Sequence, residues 1–240
     1  MVTGSSRGIG REIALRLAKD GWRVAAHYSA NEGEALETQR MLGKRASGLY
    51  RADLADPTSA SKLFKAVASD GELHALVNNA GVYMPLDFVG SGEAALAANL
   101  NRTFAVNFES PVLLARAACR HFGTRGGKIL NVCSRVGFKG EAGAALYAAS
   151  KAALINLTRS LAVELAPKKI GVFGIAPGWV ETAMARSGMD ERKEEILSSI
   201  PAGRVASPGD CAAAAAFLLS EDAAYLTGVV IDVNGASYFH

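Results

Sequence analysis

Residues 3–10 read Thr3-Gly4-Ser5-Ser6-Arg7-Gly8-Ile9-Gly10, and the glycine spacing there decides the fold. Gly4 permits a sharp turn. Gly8 removes a side chain where backbone must approach a bulky anion, and Gly10 lets the following helix pack closely on a sheet. A helix opening here presents unpaired N–H groups and the positive end of its dipole, which suit a pyrophosphate. The order is G-x-x-x-G-x-G rather than G-x-G-x-x-G, so a glycine-rich loop without a ligand is the alternative. Outward from the turn, short apolar runs at 23–28, 75–78, 128–133, 171–175 and 229–233 read as strands. Residues 11–20, 32–43, 58–69, 102–121, 144–166 and 208–220 read as helices. Strands alternating with helices imply a parallel sheet covered on both faces. No linker, repeat or low-complexity tract interrupts the pattern, so residues 1–240 are expected to form one α/β domain with a doubly wound parallel sheet. Only Met1 and Val2 precede the turn. A central strand takes about five residues, so the first strand is expected to be very short unless further residues precede it.

Composition excludes several classes. Hydrophobic residues make up 50% of the chain and charged residues 20%, as in ordinary globular proteins. No apolar run reaches the ~18–20 residues that span a bilayer. The opening Met-Val-Thr-Gly has neither the basic nor the apolar region of a secretion signal. Cys119, Cys133 and Cys211 are an odd number at no metal-like spacing, which fits a reduced, cytoplasmic protein without a metal site. The net charge of +3 comes with no basic cluster interleaved with aromatics, so no nucleic-acid partner is expected.

Two features point to a nicotinamide cofactor and to proton transfer. The strand at 23–28 runs into Ser29-Ala30-Asn31 with no acid at its end to hold a ribose 2′-hydroxyl. Arg7 in the turn and Ser29 suit a 2′-phosphate, which favours NADPH; the alternative leaves Arg7 in solvent and brings Glu32 or Glu34 to the ribose. Tyr147-Ala-Ala-Ser-Lys151 places a phenol and an ammonium on one helix face. An ammonium ~4 Å away, at an effective dielectric of ~20, stabilises a phenolate by about 4 kcal/mol. That is roughly three units below the usual ~10. An ordinary helix surface pair is the alternative. Ser134 follows a strand, where ligands sit in such sheets, and its hydroxyl suits a carbonyl gaining negative charge; a serine opening a turn before Gly137 is the other reading. Asn78-Asn79-Ala80-Gly81 ends another strand with amides and a small-residue floor, and Pro177-Gly178, with Thr182 beyond, forms a rigid turn beside the pocket.

Together, Thr3-Gly4-x3-Gly8-x-Gly10, Asp53-Leu54, Asn78-Asn79-Ala80-Gly81, Asn107, Ser134, Tyr147-x3-Lys151 and Pro177-Gly178-x3-Thr182 stand in one family's order and spacing. The chain resembles the short-chain dehydrogenase/reductase family, a Rossmann-type fold, over essentially its whole length. The resemblance implies a tetrad of Asn107, Ser134, Tyr147 and Lys151: Tyr147 the acid/base, Ser134 orienting the carbonyl, Asn107 holding a water that relays protons to Lys151, and Lys151 also binding the nicotinamide ribose. It implies that Asp53 contacts the adenine and Thr182 the carboxamide. Gly4, Ser6, Arg7, Gly8, Ile9, Gly10, Ser29, Leu54, Asn79, Ala80, Gly81, Pro177, Gly178 and Val180 complete the implied cofactor site. On the residues alone, Asp53 reads equally as a turn residue before Pro57, and Asn107 as a polar position in its helix.

Ile200-Pro-Ala-Gly-Arg204, Tyr225-Leu-Thr-Gly228 and Val233-Asn-Gly235 look most like the 3-oxoacyl-[acyl-carrier-protein] reductases within that family. That likeness implies a thioester substrate of fatty-acid or polyketide-type biosynthesis, carried on an acidic protein that docks on Arg125 and Lys168 beside the cleft. Two surface cations without a partner are the alternative. Residues 183–199 read as a lid, and Phe173-Gly174, where many relatives carry Asn, is expected to alter packing only. The helices at 102–121 and 144–166 are apolar on more than one side, which, with the resemblance, implies a homotetramer. Reduction of a free ketone, sugar, steroid or secondary metabolite stays open, as does a non-catalytic NADP-binding regulator.

Overall fold

A computed structural model describes residues 1–184 and 192–240. The expected lid falls partly on 185–191, outside the described residues. Strands β1 (Val24–Tyr28), β2 (Ala46–Arg51), β3 (Ala75–Asn78), β4 (Gly127–Val132), β5 (Ile170–Pro177) and β6 (Val230–Val233) pair in parallel. β3-β4-β5-β6 form one run and β1-β2 another. Val2 bridges both Ala26 and Val77, closing the gap into one continuous sheet. Val2 alone stands at the place of the first strand. The Met1 amine donates to the Ala75 carbonyl at 2.9 Å, and burial pushes its pKa down to about 5.

Alternation along the strands assigns each side chain to a face. Val24, Ala26, Val77, Leu130, Val132, Phe173 and Ile175 point to one side, where Ile13, Ala14 and Leu17 of α1 (Gly8–Lys19) meet Cys211, Ala212, Ala215 and Leu219. The latter belong to a later helix, which starts with Pro208 in its first turn and a capping box between Ser207 and Asp210. Ala25, Leu76, Ile129, Ile170 and Val172 point to the other side, against α3 (Ser59–Ser69) and the helices flanking β4. Phe173 is fully buried, and a side chain at Gly174 would press on Val230 at 3.0 Å.

Between β1 and β2 lies α2 (Glu32–Leu42), whose N-cap Asn31 accepts from the Glu34 N–H. β2 itself reads as no strand in the sequence, because its six residues Ala-Ser-Gly-Leu-Tyr-Arg are only half-buried at a sheet edge and carry no apolar run. The helix expected from 102 starts earlier: α4 (Glu93–Phe104) continues through a π-helical turn, Ala105–Glu109, into α5 (Ser110–Phe122). The turn closes with an i→i+5 bond from the Ser110 N–H to the Ala105 carbonyl. α6 (Ala145–Leu165), α7 (Lys193–Ser198) and α8 (Pro208–Leu219) complete the helices named here. All strands run the same way, so the carboxyl ends of β1, β3, β4 and β5 share one edge, and every chemistry-bearing segment leaves the sheet there.

Candidate active site

A cleft of about 430 Å³ opens along the carboxyl edge of the sheet. One end is the turn before α1. Gly4 and Gly8 adopt φ of +63° and +56°, the left-handed region that glycine tolerates. A Cβ on Gly4 would stand 2.9 Å from the Ala80 Cα, and one on Gly10 would collide with the Asn79 amide and the Gly4 carbonyl. These glycines therefore pack the turn against the Asn79-Ala80-Gly81 floor, and Thr3 fixes it: its hydroxyl accepts from the Asn79 and Ala80 N–H groups at 2.9 and 3.0 Å. No side chain caps α1, whose first turn faces the cleft.

The candidate cofactor residues converge on this cleft. Gly4, Ser6, Arg7, Gly8, Ile9 and Gly10 line it from the turn, Ser29 from the end of β1, and Asp53 and Leu54 from the end of β2. Asn79, Ala80, Gly81, Pro177, Gly178, Val180 and Thr182 line it from the ends of β3 and β5. Neither Glu32 nor Glu34 is among the lining residues; Glu32 accepts from the Tyr28 hydroxyl at 3.3 Å, and Glu34 lies 3.8 Å from Arg7. Asp53 accepts from the Ala55 N–H at 3.0 Å, as a turn residue does, and lines the cleft 3.8 Å from Arg102.

The other end holds Ser134, Tyr147 and Lys151, all lining the cleft. Ser134 caps a short 3-10 turn, its oxygen accepting from the Val136 N–H at 3.4 Å, and its hydroxyl lies near enough to the Tyr147 phenol to draw its pKa down. The ring of Tyr83 meets that of Tyr147 edge-on at 5.1 Å. Lys151 is buried, donates to the Val132 carbonyl at 2.8 Å and lies 5.8 Å from the Tyr147 ring centre. Asn107 does not line the cleft. It sits in the π-helical turn, its amide spent on the Val82 backbone at 2.9 and 3.0 Å and on the Ser150 hydroxyl at 3.1 Å. Its position beside Lys151 is set by Gly81, where a Cβ would touch the Asn107 oxygen at 3.3 Å and the Lys151 amine at 3.6 Å.

Two expectations need correction. Lysine was expected to draw the phenol below its usual value. Instead, burial pushes Tyr147 up to about 12, with the Ser134 hydroxyl working the other way, and burial pushes Lys151 down to about 8. Desolvation of both groups outweighs their attraction, because the ammonium is directed at the Val132 carbonyl. Tyr147 therefore stands in the cleft as a neutral O–H donor. The second correction concerns Arg125 and Lys168. They lie just before β4 and β5, at the amino edge of a parallel sheet, so within one chain the length of each strand, roughly 20 Å, separates them from the cleft. Arg125 is also ion-paired with Glu72.

Four residues of the site escaped sequence reasoning. His27, at the end of β1, is 1% exposed, accepts from the Gly4 N–H through Nδ1 at 3.0 Å and contacts the Ala52 carbonyl through Nε2 at 3.1 Å. Those partners fix a neutral imidazole with its proton on Nε2. Arg11 ties the turn to α2 through Ser6, Glu34 and Thr38. Arg135 and Glu141 pair at 3.1 Å in the cleft wall. Every residue of β1 is buried, so no alternation in the sequence singled out His27 as a support for the turn.

A phosphate-shaped turn facing a phenol–lysine pair across one cleft at the carboxyl edge defines a nucleotide-dependent oxidoreductase. The chain belongs to the short-chain dehydrogenase/reductase family: the family described as enoyl-(acyl carrier protein) reductase matches residues 4–236. It is 38% identical over 240 residues to the 3-oxoacyl-[acyl-carrier-protein] reductase FabG of Escherichia coli (strain K12), covering 99% of this chain and 96% of that protein. Among solved structures, a blue fluorescent protein from a metagenomic library, in complex with NADPH, superposes with a TM-score of 0.91 at 32% identity, covering 99% of this chain and 96% of that one. Acetoin dehydrogenase from Enterobacter cloacae superposes with a TM-score of 0.87 at 30% identity, covering 98% of this chain and 94% of that one.

Proposed function

We propose that the chain reduces a 3-oxoacyl thioester, delivered on acyl carrier protein, to the 3-hydroxy compound with NADPH. The observation that carries the chemistry is the meeting of the Ser134 hydroxyl and the neutral Tyr147 phenol at the end of a cleft whose other end is the glycine turn. The likeness to FabG over nearly the whole chain supports the thioester. The cleft fits the cofactor: a glycine turn packed on the Asn79-Ala80-Gly81 floor, the uncapped start of α1, no acid among the lining residues at the end of β1, and Arg7 and Ser29 on the cleft wall to meet a 2′-phosphate, Arg7 then exchanging its Glu34 partner for it. Asp53 would face the adenine, Lys151 the nicotinamide ribose and Thr182 the carboxamide. When bound, NADPH supplies the hydride. Ser134 orients the carbonyl and stabilises its developing charge, and Tyr147 donates its proton to that oxygen. Lys151, held by the Val132 carbonyl, offsets the charge left on the phenol, and Asn107 fixes the Val82 loop and the Ser150 end of α6 around them.

Acetoin dehydrogenase among the neighbours supports a second reading, in which the substrate is a small free ketone. A regulator without activity has no use for a phenol set beside a serine hydroxyl and a buried lysine at the end of a nucleotide cleft. Among the described residues no helix is long and apolar enough to cross a membrane. Cys119, Cys133 and Cys211 are free thiols, which supports a cytoplasmic enzyme. The solvent face of α6 carries Ala145, Ala149, Ala152 and Val163, the last 81% exposed, beside Asn156, Arg159, Ser160 and Glu164, and its small apolar residues support assembly with further copies into a tetramer. The test is steady-state oxidation of NADPH with an acetoacetyl thioester. Turnover with NADPH about 10-fold or more above NADH in kcat/KM is expected; no consumption of NADPH would overturn the reading.

A further inference from the structure

The cation of the glycine turn already has a partner. Arg7 lines the cleft with a largely exposed side chain, and the Glu34 carboxylate lies 3.8 Å from its Nε. That distance is an ion pair without a hydrogen bond. The Glu34 oxygen facing Arg7, Oε2, is buried and has no hydrogen-bond partner among the described residues. The backbone fixes Glu34 there. Its N–H is capped by the Asn31 side chain at 3.1 Å, and its carbonyl accepts from Arg11 at 2.9 Å and lies 3.1 Å from the Thr38 hydroxyl. Arg11 and the same hydroxyl also reach the carbonyl of Ser6, the residue before Arg7. Two side chains thus tie the first turn of α2 to the glycine turn, and they anchor the carboxylate within reach of Arg7.

A 2′-phosphate offers Arg7 the short, charge-assisted hydrogen bonds that Glu34 does not make, so the pair can open. Opening it leaves a carboxylate without its cation and next to an incoming group of like charge. A ribose 2′-hydroxyl brings no charge and leaves the pair closed. The geometry points to Glu34 as the residue that sets cofactor selectivity, by holding Arg7 and reducing the advantage of a 2′-phosphate over a 2′-hydroxyl. Glu34 stands outside the cleft lining and touches no part of the cofactor; it is a positioning residue that acts by its charge. The inference rests on the NADPH reading above and adds to it a built-in opponent: the preference that Arg7 and Ser29 create is held below what they would give alone.

The test is calorimetric titration of the wild-type chain and of Glu34→Gln with NADP+ and, separately, with NAD+. Glutamine keeps the shape of the side chain and every backbone bond of Glu34 while removing the charge. The variant is expected to bind NADP+ about 5-fold tighter and to bind NAD+ within about 2-fold of the wild type, so that the ratio of the two affinities widens. An unchanged affinity for NADP+, or an equal gain for both cofactors, overturns the assignment. A wild type that binds NAD+ more tightly than NADP+ rejects the reading of the cofactor instead, so the two failures are distinguishable. Should Glu34→Gln fail to fold, Glu34→Ala carries the same expectation: a ratio that widens supports the role of Glu34, and an unchanged ratio overturns it.

Discussion

The two ends of the cleft are built by different means. At the nucleotide end, contiguous residues do the work: a turn of eight residues, three of them glycine, packs on the small floor after β3. At the substrate end, side chains from distant segments meet: Ser134 after β4, Tyr147 and Lys151 on α6, Tyr83 after β3, and the Arg135–Glu141–Ser237 cluster. The first end depends on backbone that approaches closely, the second on polar groups that are buried and paired. Substitutions should therefore fail differently at the two ends, in binding at one and in turnover or selectivity at the other.

The largest expected effect lies at the substrate end. Ser134→Ala removes the hydroxyl that orients the carbonyl beside the phenol, and kcat/KM should fall by about 10²–10³ while NADPH binding stays unchanged. An equal loss of cofactor binding would erase the contrast between the two ends. At the nucleotide end, Gly10→Ala drives a methyl into the Asn79 amide and the Gly4 carbonyl. Overpacking of this kind costs about 1–3 kcal/mol, so a fluorescence titration should show NADPH affinity weakened by roughly 10-fold or more.

Protonation separates the ends as well. His27 sits behind the turn with its folded pKa pushed down to about 4 by burial, against 6.5 for the free group. The unfolded chain thus binds the proton first. The stability His27 contributes is complete above about pH 6.5 and is lost as pH falls through about 4, roughly 2 kcal/mol of it between pH 7 and pH 5. Urea unfolding at those two pH values measures it, and His27→Gln should flatten the slope. At the substrate end, Lys151 loses its charge above about pH 8. Reductive kcat/KM should decline above that value, approaching 10-fold per pH unit, because the charge supporting the phenol is gone. A profile level to pH 10 would show that the ammonium plays no part.

What could be read in the sequence follows the same division. The glycine turn, the five apolar strands and the helix carrying Tyr147 and Lys151 are local patterns, and they were legible. β2 was not, because its half-buried edge residues show no apolar alternation. The start of α4 was missed because the run 93–104 contains only two buried residues, Asn99 and Thr103, both polar. Arg125 and Lys168 looked adjacent to the site in the chain, but a residue that precedes a parallel strand sits at the edge opposite the one that follows it. The fall expected in the phenol pKa rested on spacing alone. Spacing cannot show that Lys151 is directed at the Val132 carbonyl or that both groups are desolvated. His27 and Arg135 act through partners 23 and 102 residues away, a distance no local pattern spans.

The central claim is that a neutral Tyr147 phenol gives the proton to the carbonyl oxygen. Tyr147→Phe keeps the ring against Tyr83 and removes only the donor. The account predicts that NADPH oxidation with an acetoacetyl thioester falls by about 10²–10⁴ while the variant binds NADPH as the wild type does. Turnover within a few-fold of wild type would contradict it.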